Sequence, residues 1–165
     1  MSKIGIFYGT TTGVTEDIAK RIAENLENAD VLNISGNEDS LENYDVLILG
    51  TSTWGFGDLQ DDWQTALDGL ADLALNGKKV AYFGTGDQET FPDTFIDGIG
   101  IIHEEIEKTG ATVIGYTSTD GYSFSGSRAL VDDSQFLGLA IDEVNQSDLT
   151  DERGEAWTTE LKKAL

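Results

Sequence analysis

The chain has 165 residues, 39% hydrophobic and 25% charged, which suits one globular domain with a full core rather than a disordered segment. Thirty-one Asp and Glu against ten Lys and Arg give a formal net charge of −21, which disfavours nucleic acid and anionic membrane as partners and favours basic protein surfaces. The absence of cysteine excludes disulfides, thiolate metal sites, iron–sulfur clusters and cysteine nucleophiles. No apolar run approaches the length of a membrane span. The N-terminus enters a strand almost at once, without a secretory apolar region. A soluble cytoplasmic protein is expected.

Residues 3–9 read as a buried strand, and residues 13–28 as a helix. Val14, Ile18, Ile22 and Leu26 recur every four residues and, with Ala19 and Ala23, make one apolar stripe. Residues 30–34 form a short second strand, followed by a polar loop with a helical turn. Residues 44–50 are nearly all apolar, as in a strand covered on both faces of a parallel sheet. A loop follows over residues 51–58, and then a helix from about Leu59 with Trp63, Leu67 and Leu70 in register. Residues 78–84 are the fourth strand and residues 85–92 a loop. A helix begins near Pro92, with Phe95, Ile99, Ile102 and Ile106 on its buried face. A fifth strand begins at Thr112, is interrupted by a Ser/Gly/Asp-rich stretch over 118–135, and resumes over 136–141. A last helix starts near Ser147 or Thr150, with Trp157, Leu161 and Leu165 facing inward.

Strands alternating with helices predict an α/β fold: a five-stranded, doubly wound parallel sheet in three layers, with right-handed crossovers. The short, mixed second strand suits an edge and favours strand order 2-1-3-4-5. In such sheets ligands bind beyond the carboxyl ends of the strands, where the order reverses. That point lies between the first and third strands, so the loops at 9–15, 51–58 and 84–91 converge there.

The first loop, Gly9-Thr10-Thr11-Thr12-Gly13-Val14-Thr15, sits where a strand becomes a helix. The first N–H groups of a helix lack intrahelical partners and carry partial positive charge, which makes an anion site. Threonine hydroxyls add donors. No Lys or Arg lies between Thr10 and Asp17, so neutral donors alone would hold a phosphate. The spacing is not that of a nucleotide-triphosphatase loop, which needs four residues between its glycines and then a lysine. The other loops carry Ser52, Thr53, Trp54, Gly55, Phe56 and Gly57, and Thr85, Gly86, Asp87, Gln88 and Phe91. Trp54 and Phe91, set among small residues, suit a flat ring stacked between them. Backbone groups of residues 55–57 and 85–88 would bond its polar edge. Phosphate plus a flat ring points to a mononucleotide.

On these motifs the chain resembles the flavodoxins, specifically the long-chain type, over essentially its whole length. Thr10-Thr11-Thr12-Gly13-Val14-Thr15 is similar to the family's phosphate loop. Thr53-Trp54-Gly55-Phe56-Gly57, with Leu59-Gln60 and Asp62-Trp63, resembles the segment around its inner stacking tryptophan. Gly84-Thr85-Gly86-Asp87-Gln88 resembles its third loop. The long-chain hallmark is the insertion splitting the fifth strand, with Thr119-Asp120-Gly121-Tyr122 and later Asp142-Glu143-Val144-Asn145-Gln146. The resemblance implies non-covalently bound FMN held by all three loops, and low-potential one-electron transfer between semiquinone and hydroquinone. It implies a monomeric carrier serving partners such as ferredoxin–NADP reductase, photosystem I or nitrogenase reductase. It also implies that the Gly55 carbonyl accepts a hydrogen bond from the reduced ring after a peptide flip. Two positions depart from the common family pattern: Phe91 stands where tyrosine is usual, and Val14 where many relatives carry lysine.

The alternative is an FMN-dependent reductase, quinone-reductase-like, on the same fold; Phe91 capping the ring argues against it. A phospho-receiver would need acids where Gly9-Thr10 and Thr51-Ser52 stand. His103 reads as a solvent-facing helix residue, with no second histidine to support a metal site. Ser125 and Ser127 lack a general-base partner.

Overall fold

The most apolar run of the chain forms the centre of the sheet. The computed structural model describes residues 3–54 and 56–165. Strand β3 (Val46–Trp54) pairs in parallel with β1 (Ile4–Tyr8) on one side and β5 (Lys79–Thr85) on the other. The edges are β2 (Ala29–Asn33) beside β1, and β10 (Leu139–Ile141) beside β5. The parallel order is therefore β2-β1-β3-β5-β10, as the alternation predicts. Helices α1 (Val14–Leu26) and α4 (Thr150–Ala164) cover one face, and α2 (Asp61–Leu70) and α3 (Asp97–Ile106) the other.

Side chains on successive strand residues point to opposite faces, and both faces are buried here. Phe7, Leu47, Leu49 and Tyr82 join Trp63, Phe95, Ile99 and Ile102 on the α2–α3 side. Ile6, Ile48, Ala81 and Phe83 join Ile18, Ile22, Trp157 and Leu161 on the α1–α4 side. Each fully buried Leu, Ile or Phe side chain among these stabilises the fold by about 1.5–3 kcal/mol relative to exposure.

The fifth strand is split. Its first part, β6 (Thr112–Val113), pairs with Lys79 and Val80, and its second part, β10, pairs with Phe83 to Thr85 on the same edge of β5. Between them the insertion folds a small sheet of β7 (Thr117–Ser118), β8 (Leu130–Asp132) and β9 (Gln135–Phe136), in the order β7-β9-β8.

Several expectations change. The third strand runs four residues further, to Trp54, and β4 (Asp58–Leu59) returns antiparallel against Thr53 and Trp54, so five of the eight residues of the expected 51–58 loop are sheet. No helix starts at Pro92; α3 begins at Asp97. Pro92 O instead accepts from Ser125 N and Gly126 N, and Phe95 N donates to Gly126 O, so pairing with the insertion overrides helix formation. Phe136 belongs to the small sheet, and the main-sheet strand resumes only at Leu139. Val14 (37% exposed) and Leu165 (39% exposed) lie outside the core. His103 is half-buried, with Nδ1 3.1 Å from the Tyr82 hydroxyl.

The start of α3 abuts the end of β3. A Cβ on Gly98 would meet Thr51 Cγ2 at 2.8 Å and Ser52 O at 3.0 Å, and Gly98 N donates to Thr53 Oγ1 at 2.8 Å. Gly98→Ala should therefore lower stability by about 1–3 kcal/mol through overpacking, read as a lower urea midpoint at unchanged m-value. An unchanged midpoint would show that this contact relaxes without cost.

Candidate functional site

At the carboxyl end of β1 the chain turns through Gly9–Gly13 into α1. Gly13, the residue before the helix, has φ 91°, a left-handed conformation that glycine adopts at little cost. Among the described residues no side chain caps this helix. Its first N–H groups and the positive end of its dipole therefore face outward. Thr11 and Thr12 are exposed beside them. The other two hydroxyls are engaged within the protein. Thr10 Oγ1 accepts from Gly13 N at 2.9 Å and shapes the turn, and Thr15, buried, lies with Oγ1 3.3 Å from Thr85 Oγ1. That second contact ties the first loop to the end of β5.

Next to this helix end is a cleft of ≈ 230 Å³ lined by Thr12, Val14, Ser52, Thr53, Trp54, Thr85, Gly86, Asp87, Phe91, Glu143 and Val144. All three predicted loops contribute to it. Trp54, 40% exposed, stands at the end of β3, where the β4 return fixes its backbone. Phe91 lies across the third loop. Phe56 projects from the turn after β3, 90% exposed, and meets the Phe91 ring edge-on at 6.1 Å. Gly57 closes that turn, donating its N–H to Trp54 O at 3.1 Å. Gly55 lies outside the described residues. Ser52 Oγ is buried and has no hydrogen-bond partner among the described residues. An orphaned buried hydroxyl is uncommon in a folded protein and here lines the cleft. Thr53 lines the cleft too, but its hydroxyl is bonded to α3.

The third loop is held by a buried carboxylate. Asp142 is fully buried and accepts from Gln88 N (3.1 Å), Gln88 Nε2 (2.8 Å), Val144 N (3.1 Å), Asn145 N (3.0 Å) and Asn145 Nδ2 (2.9 Å). Asn145 Nδ2 also donates to Asp87 Oδ1 at 2.8 Å, and Gln88 Nε2 to Gln146 Oε1 at 2.9 Å. Gln88 is therefore a buried brace whose side chain is fully engaged inside the protein. Gly86 N likewise donates to Ile141 O, so part of the expected ring-edge backbone is already committed. Burial pushes the Asp87 carboxyl up, but the N–H groups of Thr90 and Glu89 and the Asn145 amide together hold it below the ordinary range.

Sequence reasoning did not assign Asp142, Glu143, Val144 or Asn145 to the site. The usable signal was positional: these residues follow an apolar strand at the same carboxyl edge of the sheet. Among the described residues no cluster of His, Asp and Glu could hold a metal. No helix among them is long and apolar enough to cross a membrane. The arrangement offers an anion seat, a largely apolar cleft lined by the Trp54 and Phe91 rings, and an unsatisfied hydroxyl. These suit a phosphorylated flat-ring cofactor.

The comparisons with known proteins agree. The sequence pattern of the flavodoxin family matches residues 6–157. A Nostoc flavodoxin is 48% identical over 164 residues, covering 97% of this chain and 95% of the relative. Flavodoxin 1 of Escherichia coli K12 is 45% identical over 168 residues, covering 100% of this chain and 96% of the relative. The crystal structure of Fusobacterium nucleatum flavodoxin bound to flavin mononucleotide superposes with a TM-score of 0.95 at 36% identity, covering 100% of this chain and 99% of that one.

The Asp87 carboxyl sits below its ordinary 3.8 in the folded protein. Its stabilising contribution is then complete above that pH and fades as pH falls through the lower, folded value. Asp87→Asn apoprotein should be less stable to urea than wild type above pH 3.8, with the gap closing below it. A gap that persists unchanged at lower pH would contradict this assignment.

Proposed function

The chain belongs to the flavodoxin family, and on that premise we propose that it is an electron-transfer protein, not an enzyme, working with non-covalently bound FMN. The observation that carries this reading is the meeting of three features in one cleft. These are the uncapped start of α1, the Trp54 and Phe91 walls, and the orphaned Ser52 hydroxyl.

In this reading the phosphate is held by the N–H groups of Val14 and Thr15 and by the hydroxyls of Thr11 and Thr12, while the Gly13 N–H stays on Thr10 Oγ1 and shapes the turn, leaving the Thr10 hydroxyl proton to donate. The ring stacks between Trp54 and Phe91. Ser52 supplies a hydrogen bond to the bound cofactor, and Thr53 braces the wall through α3. Phe56 and Gly57 would lie along one edge of the ring, and Thr85, Gly86, Asp87 and Gln88 would shape the other. FMN supplies the electron-accepting ring. The protein supplies the seat, the stacking and the field.

The finer assignment follows from charge. A protein at −21 opposes addition of the second electron, which favours a carrier cycling between semiquinone and hydroquinone at low potential. The same field draws basic redox partners such as ferredoxin–NADP reductase, photosystem I or nitrogenase reductase. Phe56 and Val144, 90% and 71% exposed, give the cleft mouth an apolar contact zone for such a partner. We assign the protein to the cytoplasm, as a monomer.

Two measurements test this. Trp54→Ala and Phe91→Ala should each weaken FMN by about 1–3 kcal/mol, roughly five- to 150-fold in Kd, with Trp54→Phe losing less. Unchanged affinities would remove the stacking assignment. Redox titration of the holoprotein, followed by absorbance, should resolve two one-electron steps. A single two-electron step would instead favour an enzyme of the reductase type.

A further inference from the structure

A second cleft, ≈ 320 Å³, adjoins the first and shares Thr12, Val14 and Glu143 with it. Its remaining walls are Gly13, Asp17 and Arg21, and Arg21 is the one cation on that lining among the described residues. Val14, Asp17 and Arg21 recur at spacings of three and four residues, so they share one face of α1. The Arg21 guanidinium contacts carboxylates from three elements. It lies 2.7 Å from Asp17 on α1, 3.8 Å from Glu143 after β10, and 3.0 Å from Asp151 on α4.

We infer that Arg21 is the charge-compensating residue of the phosphate end, offsetting Asp17 and Glu143 so that the uncapped start of α1 can accept a dianion. This rests on the FMN reading above. The Arg21, Asp17 and Asp151 side chains are 43%, 56% and 80% exposed, and pairs this exposed add little to stability. Their larger consequence is the local field. Without Arg21 two uncompensated carboxylates line the cleft beside Thr12 and Gly13. The sequence places no cation between Thr10 and Asp17 to replace it. Arg21 acts through those acids and is a positioning residue.

The test compares FMN with riboflavin, which has the same ring but no phosphate, in fluorescence titrations of the apoprotein at low salt. Arg21→Gln should weaken FMN about three- to tenfold while leaving riboflavin unchanged, the order expected for one solvent-screened charge acting on a nearby dianion without contact. Arg21→Lys should restore most of the loss, and Glu143→Gln should tighten FMN. Added sodium chloride should shrink all three differences. Equal losses for both flavins would mark Arg21 as merely structural and overturn the inference. So would an unchanged FMN-to-riboflavin ratio in Arg21→Gln. If wild-type protein itself held FMN no more tightly than riboflavin, the phosphate seat and the FMN reading would fall first, and this inference with them.

Discussion

The site depends on one constraint: β1 and β3 lie side by side while the chains leaving them go to opposite faces of the sheet. Crossovers send β1 through α1 to one edge and β3 through α2 toward the other, on opposite faces of the sheet. A crevice is left at their carboxyl ends because no connection covers it. Short contacts hold its base closed. Gly9 N donates to Gly50 O at 3.1 Å, and the indole of buried Trp63 donates to the same carbonyl at 2.7 Å. The turn into α1 is thus fixed against the middle strand before any ligand arrives, and this rigidity aims the free helix end.

The layered fold was legible because its signals are redundant. Periodic apolar residues, the unbroken run over 46–49 and the short polar second strand all pointed to one sheet order. Boundaries failed where local chemistry and tertiary contact disagree. Thr51-Ser52-Thr53 looks like loop, yet it continues β3 because β5 and β4 supply ladder partners. Pro92 looks like a helix start, yet its carbonyl serves the insertion and Ile96 adopts φ 49°, a strained conformation just before α3. His103 looked solvent-facing in a run of acids, yet its ring packs edge-on against Tyr82 at 5.6 Å. In each case the deciding partner is distant in sequence and leaves no local pattern.

The cleft was legible only in its walls. Three Gly/Thr loops with two aromatics could be placed at one edge of the sheet by topology alone. The support beneath them could not. Asp142 is one acid among many in an acidic protein, and its place after an apolar strand marks the carboxyl edge of the sheet but not its burial. Its role appears only when Gln88, Val144 and Asn145 converge on it. The insertion is bound into the same support. Ser123 N donates to Gln88 Oε1, and Arg153 bonds Gln146 Oε1 at 2.7 Å while lying 4.0 Å over the Tyr122 ring. The segment that splits the fifth strand therefore stiffens the third loop as well as extending the surface.

Such stiffening resolves a conflict in the electrostatics. A protein of this charge must still seat a phosphate, and long-range repulsion opposes it. Repulsion between exposed charges is spread over distance and screened by salt, with a Debye length of about 8 Å at physiological ionic strength. Hydrogen bonds from fixed N–H groups act at contact and are hardly screened. On the proposed reading, neutral donors, with Arg21 offsetting the nearest acids, prevail locally if their geometry is set in advance. That preorganisation comes from Gly13 in its left-handed turn, the Thr15–Thr85 contact and the bond from Gly9 to β3. The acidity is then free to act outward, on approaching partners and on the cost of adding electrons.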